Sequence, residues 1–166
     1  MGACGNLISM ALSGLTDVTK IGAQFMISCS SLKSLDLSPL NKLTGIDYDF
    51  MYGCKNLTKF ISPSSEGITS IGSPDLRGEF MYGCESLDAI DLRFLKNITI
   101  ITSYFLCSCK SLSSIDLSGF TKVKQISERF LFNCFGLTNI DLSGFTSLET
   151  YGAYFLSKCI SLREID

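Results

Sequence analysis

The chain has 166 residues, a formal net charge of −2 and an isoelectric point near 5.1. Its 14 basic residues form no stripe in register, which argues against nucleic-acid binding because such proteins carry clustered positive charge. No apolar run approaches the roughly 18 residues that a membrane-spanning helix needs, and no charged and apolar signal segment opens the chain. We therefore expect no nucleic-acid partner and no direct insertion of this segment into a membrane.

Seven of the eight cysteines recur at a nearly constant spacing. Successive members lie 25 residues apart except for one step of 30, and a phenylalanine stands four residues before each of them from Cys29 onward. We call this set the cysteine ladder: Cys4, Cys29, Cys54, Cys84, Cys109, Cys134 and Cys159. A fixed period of about 20 to 50 residues indicates repeat units that bury their apolar faces only by stacking on one another.

Each repeat contains extended and turn-like segments. The segment from Leu112 to Leu117 ends in an apolar-polar-apolar alternation, which is typical of a strand with one buried face. Val123 and Ile126 begin a second extended edge, and the apolar spacing from Phe130 onward predicts a short helical turn. We predict parallel strands, one per coil and joined by right-handed connections, near residues 9–12, 34–37, 59–62, 89–92, 114–117 and 139–142.

Residues 105–120 read Phe-Leu-x-x-Cys-x-Ser-Leu-x-x-Ile-Asp-Leu-Ser-Gly-Phe, and residues 130–145 repeat this pattern with small variations. The pattern resembles the BspA-like class of leucine-rich repeat over essentially the whole chain, although Ser-Gly or Ser-Pro mostly replaces the proline that is common after the strand in that class. The resemblance implies an α/β solenoid, that is, a right-handed leucine-rich-repeat superhelix with its parallel sheet on the concave face. It also implies a non-enzymatic module for protein recognition or adhesion at cell or host surfaces.

The repeats run through the chain without a break in composition. We therefore expect residues 1–166 to form a single solenoid domain of about six and a half coils. The chain begins and ends inside a repeat, which predicts that it is a segment of a longer protein.

Acidic residues return seven positions after the ladder cysteine. Each lies between two inward apolar residues of the predicted strand, so its side chain should project from the concave face. We call this set the acidic strip: Asp36, Asp91, Asp116, Asp141 and Asp166. One interpretation is a solvated face in which Asp and Ser side chains hydrogen-bond across strands; the others are a binding strip for a basic protein segment and the capture of a divalent cation.

One coil departs from the pattern and suggests an alternative surface. Ile61 replaces the acidic residue, and five extra residues enter between Gly72 and Glu79. Insertions in solenoids frequently form binding loops, although a longer surface loop is also tolerated at little cost. Aromatic residues outside the core positions could add a partner surface or contact further repeats. The alternative partner-binding surface comprises Ile61, Pro74, Asp75, Arg77, Tyr82, Phe132 and Phe135.

The eight cysteines raise the hypotheses of a metal site and of disulfides. The chain has no histidine and its closest cysteine pair is Cys107 and Cys109, so we expect neither a metal site nor a cofactor. Neighbouring coils would bring ladder cysteines within disulfide range, but an odd ladder of seven suits small buried thiols better. Cys107 lies outside the ladder, and we expect it to be partly exposed and the first thiol to react.

Catalysis has little support in the sequence. It contains no histidine, no Gly-rich phosphate loop and no serine paired with a recognisable base, so we expect no catalytic residues and no enzyme. A surface adhesion module is favoured by the resemblance and by the sequons at Asn56 and Asn97, which are candidate glycosylation sites. An intracellular interaction scaffold is favoured by unpaired cysteines and the absent signal segment. The location therefore stays open, with the resemblance suggesting a cell-surface or secreted protein.

Overall fold

The chain folds into a parallel β-solenoid of about six turns built from very short strands. The computed structural model describes residues 4–73, 75 and 78–166. Within this described part of the chain, one 3-10 helix spans Arg93–Leu95, and no helix there has the length and apolar character to cross a membrane. The strands are β1 (Lys20–Ile21), β2 (Ser34–Asp36), β3 (Gly45–Ile46), β4 (Lys59–Ile61), β5 (Ser70–Ile71), β6 (Ile100–Ile101), β7 (Gln125–Ile126), β8 (Asn139–Ile140), β9 (Thr150–Tyr151) and β10 (Glu164–Ile165).

The strands pair in parallel between successive coils, which confirms the predicted parallel solenoid. Lys20 pairs with Gly45, and Ile100 pairs with Gln125, so the sheet register equals the sequence period. The described strands form two three-stranded sheets, β1-β3-β5 and β6-β7-β9, and two two-stranded sheets, β2-β4 and β8-β10. Equivalent residues of adjacent coils therefore stack directly over one another.

The more continuous sheet lies at the second extended edge rather than along the predicted main strands. The second edge carries β1, β3, β5, β6, β7 and β9, whereas the described residues near 9–12, 89–92 and 114–117 form no strand. Leu92 and Leu117 are nevertheless buried as the alternation predicts. Alternation thus determines which side chains face the core, but it does not determine how closely two neighbouring backbones approach.

Stacked phenylalanine rings run through the core. Neighbouring ring centroids lie 5.2 to 5.9 Å apart and the ring planes are nearly parallel. We call this set the phenylalanine ladder: Phe25, Phe50, Phe80, Phe105, Phe130 and Phe155. Each stacked pair contributes about 0.5 to 1.5 kcal/mol beyond the burial of its area. The ladder continues across the insertion, because Phe50 and Phe80 stack at 5.3 Å.

The predicted short helical turns are wrong. After Phe25 the chain makes consecutive tight turns, which are closed by hydrogen bonds from Ile27 N–H to Gln24 O and from Cys29 N–H to Met26 O, both at 3.3 Å. The third residue of each turn has a positive φ, as in type II turns: 58° at Met26 and 55° at Ser28. The apolar spacing that suggested a helix is satisfied equally well by this succession of turns.

Backbone hydrogen bonds tie these turns to both neighbouring coils. Asp49 N–H donates to Gly78 O in the following coil at 2.8 Å, and Met51 N–H donates to Phe25 O in the preceding coil at 2.8 Å. Both donors have positive φ, a conformation that costs an L-residue about 1 to 2 kcal/mol. We call this repeated set of bonds the turn ladder; its hydrogen bonds between coils offset that cost.

Thiols also link successive coils. Cys54 Sγ donates to Met26 O at 3.1 Å, and the same oxygen accepts the N–H of Cys29 at 3.3 Å, so the thiol occupies a second acceptor position of that carbonyl. The bond recurs at 3.1 to 3.5 Å from Cys84, Cys109, Cys134 and Cys159. From Cys29 onward the ladder cysteines are buried, and none of them forms a disulfide, whereas Cys4 is exposed.

The expectation that Cys107 is the exposed thiol is wrong. Only 1% of its surface is exposed, and its Sγ lies 3.7 Å from Ser108 Oγ. The turn ladder explains this burial, because Cys107 O accepts a hydrogen bond from Gly83 N–H in the preceding coil at 2.8 Å. Burial also raises the pKa of the Cys107 thiol. Cys4 therefore replaces Cys107 as the thiol that solvent reaches in the described chain.

The cost of positive φ can be tested at Gly83, whose φ is +70°. A Cβ at this position would approach no atom closer than 3.8 Å, so Gly83→Ala changes the backbone preference without a clash. We expect the free energy of unfolding, measured in urea, to fall by about 1 kcal/mol. Gly14→Ala is the control, because Gly14 has no positive φ and no atom within 4 Å, and it should leave stability unchanged or raise it. Equal effects of the two variants would contradict the turn-ladder interpretation.

Alkaline pH tests the buried cysteine ladder. Burial raises the pKa of the Cys54 thiol from 9.0 to about 12, and it raises the pKa of Cys84 and Cys109 well above 9.0. The unfolded chain loses these protons near pH 9 while the folded chain keeps them, so their stabilisation is complete below pH 9 and is lost as the pH rises toward 12. The urea midpoint of the parent should fall more steeply over this range than that of the triple variant Cys54→Ala, Cys84→Ala and Cys109→Ala. Parallel curves would show that the thiols do not carry this pH dependence.

Candidate functional site

The acidic strip follows the outer side of the strand positions, with one interruption. Asp36 pairs in register with Ile61, which takes the place of an acidic residue in the next coil. Asp141 and Asp166 directly follow β8 and β10, which pair in the same register. All five carboxylates are exposed. The strip therefore consists of one isolated carboxylate and four carboxylates in consecutive coils.

Each of the first four carboxylates is fixed by its own coil. Asp36 Oδ1 accepts the N–H of Ser38 at 2.8 Å, and Asp141 Oδ1 accepts the N–H of Ser143 at 2.7 Å. The same bond from the residue two positions later occurs at Asp91 (3.0 Å) and Asp116 (2.9 Å). These bonds join residues within one coil rather than across strands. They are Asx turns, which orient the side chain without using a neighbouring coil.

Arg93 pairs with one member of the strip. Its Nε donates to Asp91 Oδ1 at 3.0 Å and its terminal amino group donates to Asp91 Oδ2 at 2.6 Å. This bidentate geometry is specific, but the Arg93 side chain is 80% exposed, so the pair stabilises the fold little. Its consequence is electrostatic, because a positive charge lies beside the strip at Asp91.

Hydrogen bonding keeps the strip ionised. Arg93 lowers the pKa of Asp91, first through its side-chain hydrogen bonds. At the other three positions the serine two residues later lowers the pKa of the carboxyl group. The hydrogen bond from the serine side chain has the larger effect and the one from the serine N–H the smaller, at Asp36, Asp116 and Asp141. The negative charge of these four members therefore persists at a pH where an ordinary carboxyl group is half protonated.

The residues of the alternative surface lie on different parts of the solenoid. Ile61, which is 37% exposed, lies on the strand edge that also carries Asp36. Asp75 is exposed and accepts a hydrogen bond from Ser73 Oγ. Tyr82 lies in the turn segment that follows Phe80, and its ring stacks on Tyr52 with a centroid distance of 4.8 Å. Pro74 and Arg77, which the sequence analysis also proposed for this surface, lie outside the described residues.

A cation-aromatic cluster near the C-terminal end was missed by the sequence analysis. The Arg129 guanidinium carbon lies 4.8 to 5.5 Å from the ring centroids of Tyr104, Phe132 and Tyr154. Phe132 was proposed for the alternative surface, and Phe135 beside it is partly buried. The signal was present in the sequence, because Tyr104, Arg129 and Tyr154 each precede a member of the phenylalanine ladder. Cation-π contacts of this kind hold the turn segments of adjacent coils together.

Both sequon asparagines already bind the neighbouring coil. Asn56 Nδ2 donates to Ser30 O at 2.8 Å, and Asn97 Nδ2 donates to Glu66 O at 2.7 Å. Lys122 Nζ also donates to Asn97 Oδ1 at 2.7 Å. A glycan is attached through Nδ2, so glycosylation at either position would have to release a hydrogen bond between coils.

Comparison with known proteins identifies the repeat. The model of the BspA type leucine rich repeat region matches six copies over residues 2–78 and 75–166, which confirms the resemblance derived from the sequence. No curated protein sequence matches the chain significantly.

Two solved structures resemble the chain. One is described as the functional domain of InlJ from Listeria monocytogenes, which includes a cysteine ladder; it is 20% identical with a TM-score of 0.47, and the match covers 97% of this chain and 34% of that one. The other is a leucine-rich repeat protein from Bacteroides ovatus, which is 16% identical with a TM-score of 0.42, and the match covers 98% of this chain and 45% of that one. This chain therefore spans less than half the length of either protein.

The electrostatic effect of Arg93 can be tested by Arg93→Gln. Without the guanidinium group, the pKa of Asp91 should rise toward 3.8, the ordinary value, in an NMR titration of the carboxyl carbons. Asp141 is the internal control, because Ser143 lowers its pKa without an arginine. A lowered carboxyl pKa stabilises the folded chain above pH 3.8, and this stabilisation is lost as the pH falls through the folded pKa. The variant should therefore lose less stability on acidification than the parent; an unchanged Asp91 pKa would contradict this assignment.

Proposed function

We propose that this chain, which belongs to the BspA-type leucine-rich repeat family, acts as a non-enzymatic module for protein recognition or adhesion. Stacked coils create an extended surface on which equivalent side chains line up, and such surfaces are what solenoid proteins use for binding. The chain spans less than half of the similar solved proteins, so this proposal concerns the recognition step and not the activity of a whole protein.

The acidic strip is the recognition surface in this proposal, and the observation that carries it is the row of four consecutive exposed carboxylates, three of which have a lowered pKa. Carboxylates about 5 Å apart in water repel each other by roughly 0.8 kcal/mol, and a basic segment would relieve this repulsion. The Asx turns already hold the side chains, so ordering them when a partner binds would cost little conformational entropy. The favoured partner is therefore a basic segment of another protein.

The absence of catalysis is part of the proposal. An acid-base pair requires two groups whose pKa values are driven apart by their surroundings. In the strip the resolved pKa shifts all run in the same direction, downward, and the carboxylates are exposed. This arrangement favours binding of positive charge over proton transfer.

We assign the module to a cell or host surface on the strength of its family. A second candidate, an intracellular scaffold, is favoured by the buried unbridged thiols from Cys29 onward, because a reducing compartment preserves free thiols. Labelling of intact source cells with a membrane-impermeant amine reagent distinguishes the two. Modification of this protein in unbroken cells supports the surface assignment, and labelling only after lysis supports the scaffold.

The acidic strip is tested by the triple variant Asp91→Asn, Asp116→Asn and Asp141→Asn. Asparagine keeps an Oδ1 acceptor for the N–H two residues later, so the turns should persist while the charge is removed. We expect binding of a lysine-rich peptide at low salt to weaken by about tenfold or more, and its salt dependence to become flatter. Titration calorimetry at several salt concentrations measures both effects.

The matched control removes three acidic charges elsewhere, in the variant Asp17→Asn, Glu128→Gln and Glu149→Gln. All three residues are exposed, and none belongs to the strip. This control has the same net charge as the strip variant but should bind the peptide nearly as tightly as the parent. Equal weakening in both variants would mean that overall charge, and not the acidic strip, attracts the peptide.

A further inference from the structure

The sheet at the second extended edge is interrupted at one boundary between coils. β3 pairs with β5, and β6 pairs with β7, but in the described part of the chain no ladder joins β5 to β6. The interruption coincides with the insertion, because residues 72–79 connect β5 to the next turn segment. The Cα atoms of β5 and β6 still approach within 8 Å. The two strands therefore lie side by side without a ladder, and we call the space between them, where residues of both line a cavity, the cleft.

The β5 wall of the cleft carries a backbone carbonyl oxygen whose equivalents in other coils accept a hydrogen bond. Ser127 N–H donates to Ile101 O at 2.8 Å. The equivalent pair across the cleft is Thr102 N–H and Ile71 O, and within the described structure this bond is not formed. One donor and one acceptor of the sheet therefore face the cleft.

A second missing bond lies two to three residues earlier along the same walls. Lys124 N–H donates to Thr99 O at 2.8 Å. Across the cleft the equivalent bond, from Thr99 N–H to Thr69 O, is likewise not formed among the described residues. The unbonded N–H groups thus line the β6 wall, and the unbonded carbonyl oxygens line the β5 wall, at the spacing of a parallel ladder.

A cavity lies at the two walls, beside a buried hydroxyl group of the kind that Ser127 also has in the next coil. Thr102 is only 3% exposed, and its Oγ1 is buried without a hydrogen-bond partner in the described structure. Thr102 lines a cavity of about 280 Å³ between the two walls, together with Thr69, Ile71 and Ile100. Ile100, at 37% exposure, adds apolar surface at the opening.

We propose that this cleft binds an extended peptide segment of a partner protein, which adds a strand between β5 and β6. An extended backbone offers N–H groups on one edge that match the β5 carbonyl oxygens, and carbonyl oxygens on the other edge that match the β6 N–H groups. A cation would satisfy only the acceptors and an anion only the donors. The inference rests on the recognition function proposed above, but it places binding at a surface separate from the acidic strip.

The cleft must widen to admit a strand. Two ladders with a strand between them need about 9.6 Å, whereas the Cα atoms of the walls now lie within 8 Å. Opening breaks no ladder bond, because none joins the walls. The phenylalanine ladder, with 5.2 Å between the centroids of Phe80 and Phe105, keeps the two coils that form the walls in contact at another edge.

The probe is the peptide Lys-Leu-Thr-Gly-Ile-Asp-Tyr, acetylated and amidated at its ends. It copies residues 42–48, which contain β3, a strand that pairs on both of its edges. We expect the probe to shift the amide NMR signals of Ile71, Thr99 and Thr102 and to protect the amides of Thr99 and Thr102 from hydrogen exchange. The same peptide with N-methyl groups at the positions copied from Gly45 and Ile46 lacks a backbone donor on each edge. It should bind about tenfold more weakly or worse.

Deletion of residues 73–77 is the variant that closes the cleft. It joins Gly72 to Gly78 and restores the Gly-x-x-Phe connection that the chain has at 22–25. The shortened chain should keep its circular dichroism spectrum, should protect the amide of Thr102 without the probe, and should no longer bind the probe.

The inference is overturned if the parent shows no change at Ile71, Thr99 and Thr102 with excess probe, or if the N-methylated peptide binds equally well. Unchanged binding after the deletion also overturns it. The strip variant Asp91→Asn, Asp116→Asn and Asp141→Asn should bind this probe as the parent does. Loss of lysine-peptide binding in that variant with retained β3-probe binding would therefore separate the acidic strip from the cleft.

Discussion

The solenoid depends on the hydrogen bonds that join its turn segments from coil to coil. Its strands are only two or three residues long, and such strands supply few ladder bonds of their own. The turn segments compensate, because Asp49 and Met51 donate N–H groups in opposite directions to the two neighbouring coils. The phenylalanine ladder and the thiol bonds lie alongside these segments, so backbone, aromatic and sulfur contacts all reinforce the same edge. This edge therefore holds successive coils together.

The hydrogen bonds between turn segments continue at the boundary where the sheet of the second extended edge is interrupted. At the boundary between β5 and β6, Glu79 N–H donates to Ser103 O at 2.8 Å and Leu106 N–H donates to Phe80 O at 2.9 Å. The connection between β5 and β6 can therefore lengthen without separating the coils. A longer connection costs little entropy as long as its two ends remain fixed by other contacts. The chain thus tolerates the loss of one sheet ladder, and the unpaired groups of that ladder become available to a partner.

Much of the core could be predicted from the sequence, because a 25-residue spacing of Cys and Phe indicates which side chains stack. The conformation of the turns could not, because positive φ at residues such as Met26 and Leu106 has no local signal when glycine is absent. These residues adopt positive φ because backbone groups of the neighbouring coils form hydrogen bonds with them in that conformation. Positive φ is therefore an effect of tertiary structure. Cys107 was misjudged for the same reason, since the turn ladder buries a position that a helix would have exposed. The register of the acidic strip follows from the repeat spacing, but the pairing of Asp91 with Arg93 two residues later was not considered.

A solenoid of identical coils would present the same surface at every position, so any specificity must arise where the coils differ. In this chain the departures concentrate at one boundary between coils. Ile61 interrupts the acidic strip, Arg93 pairs with its next member, and no ladder joins β5 to β6 among the described residues. The two proposed surfaces use different chemistry. The acidic strip offers side-chain charges, whose attraction salt screens, whereas the cleft offers neutral backbone groups, whose hydrogen bonds salt does not screen. A partner that carried both a basic segment and an adjacent extended strand would gain from their linkage, since the second contact becomes intramolecular once the first has formed.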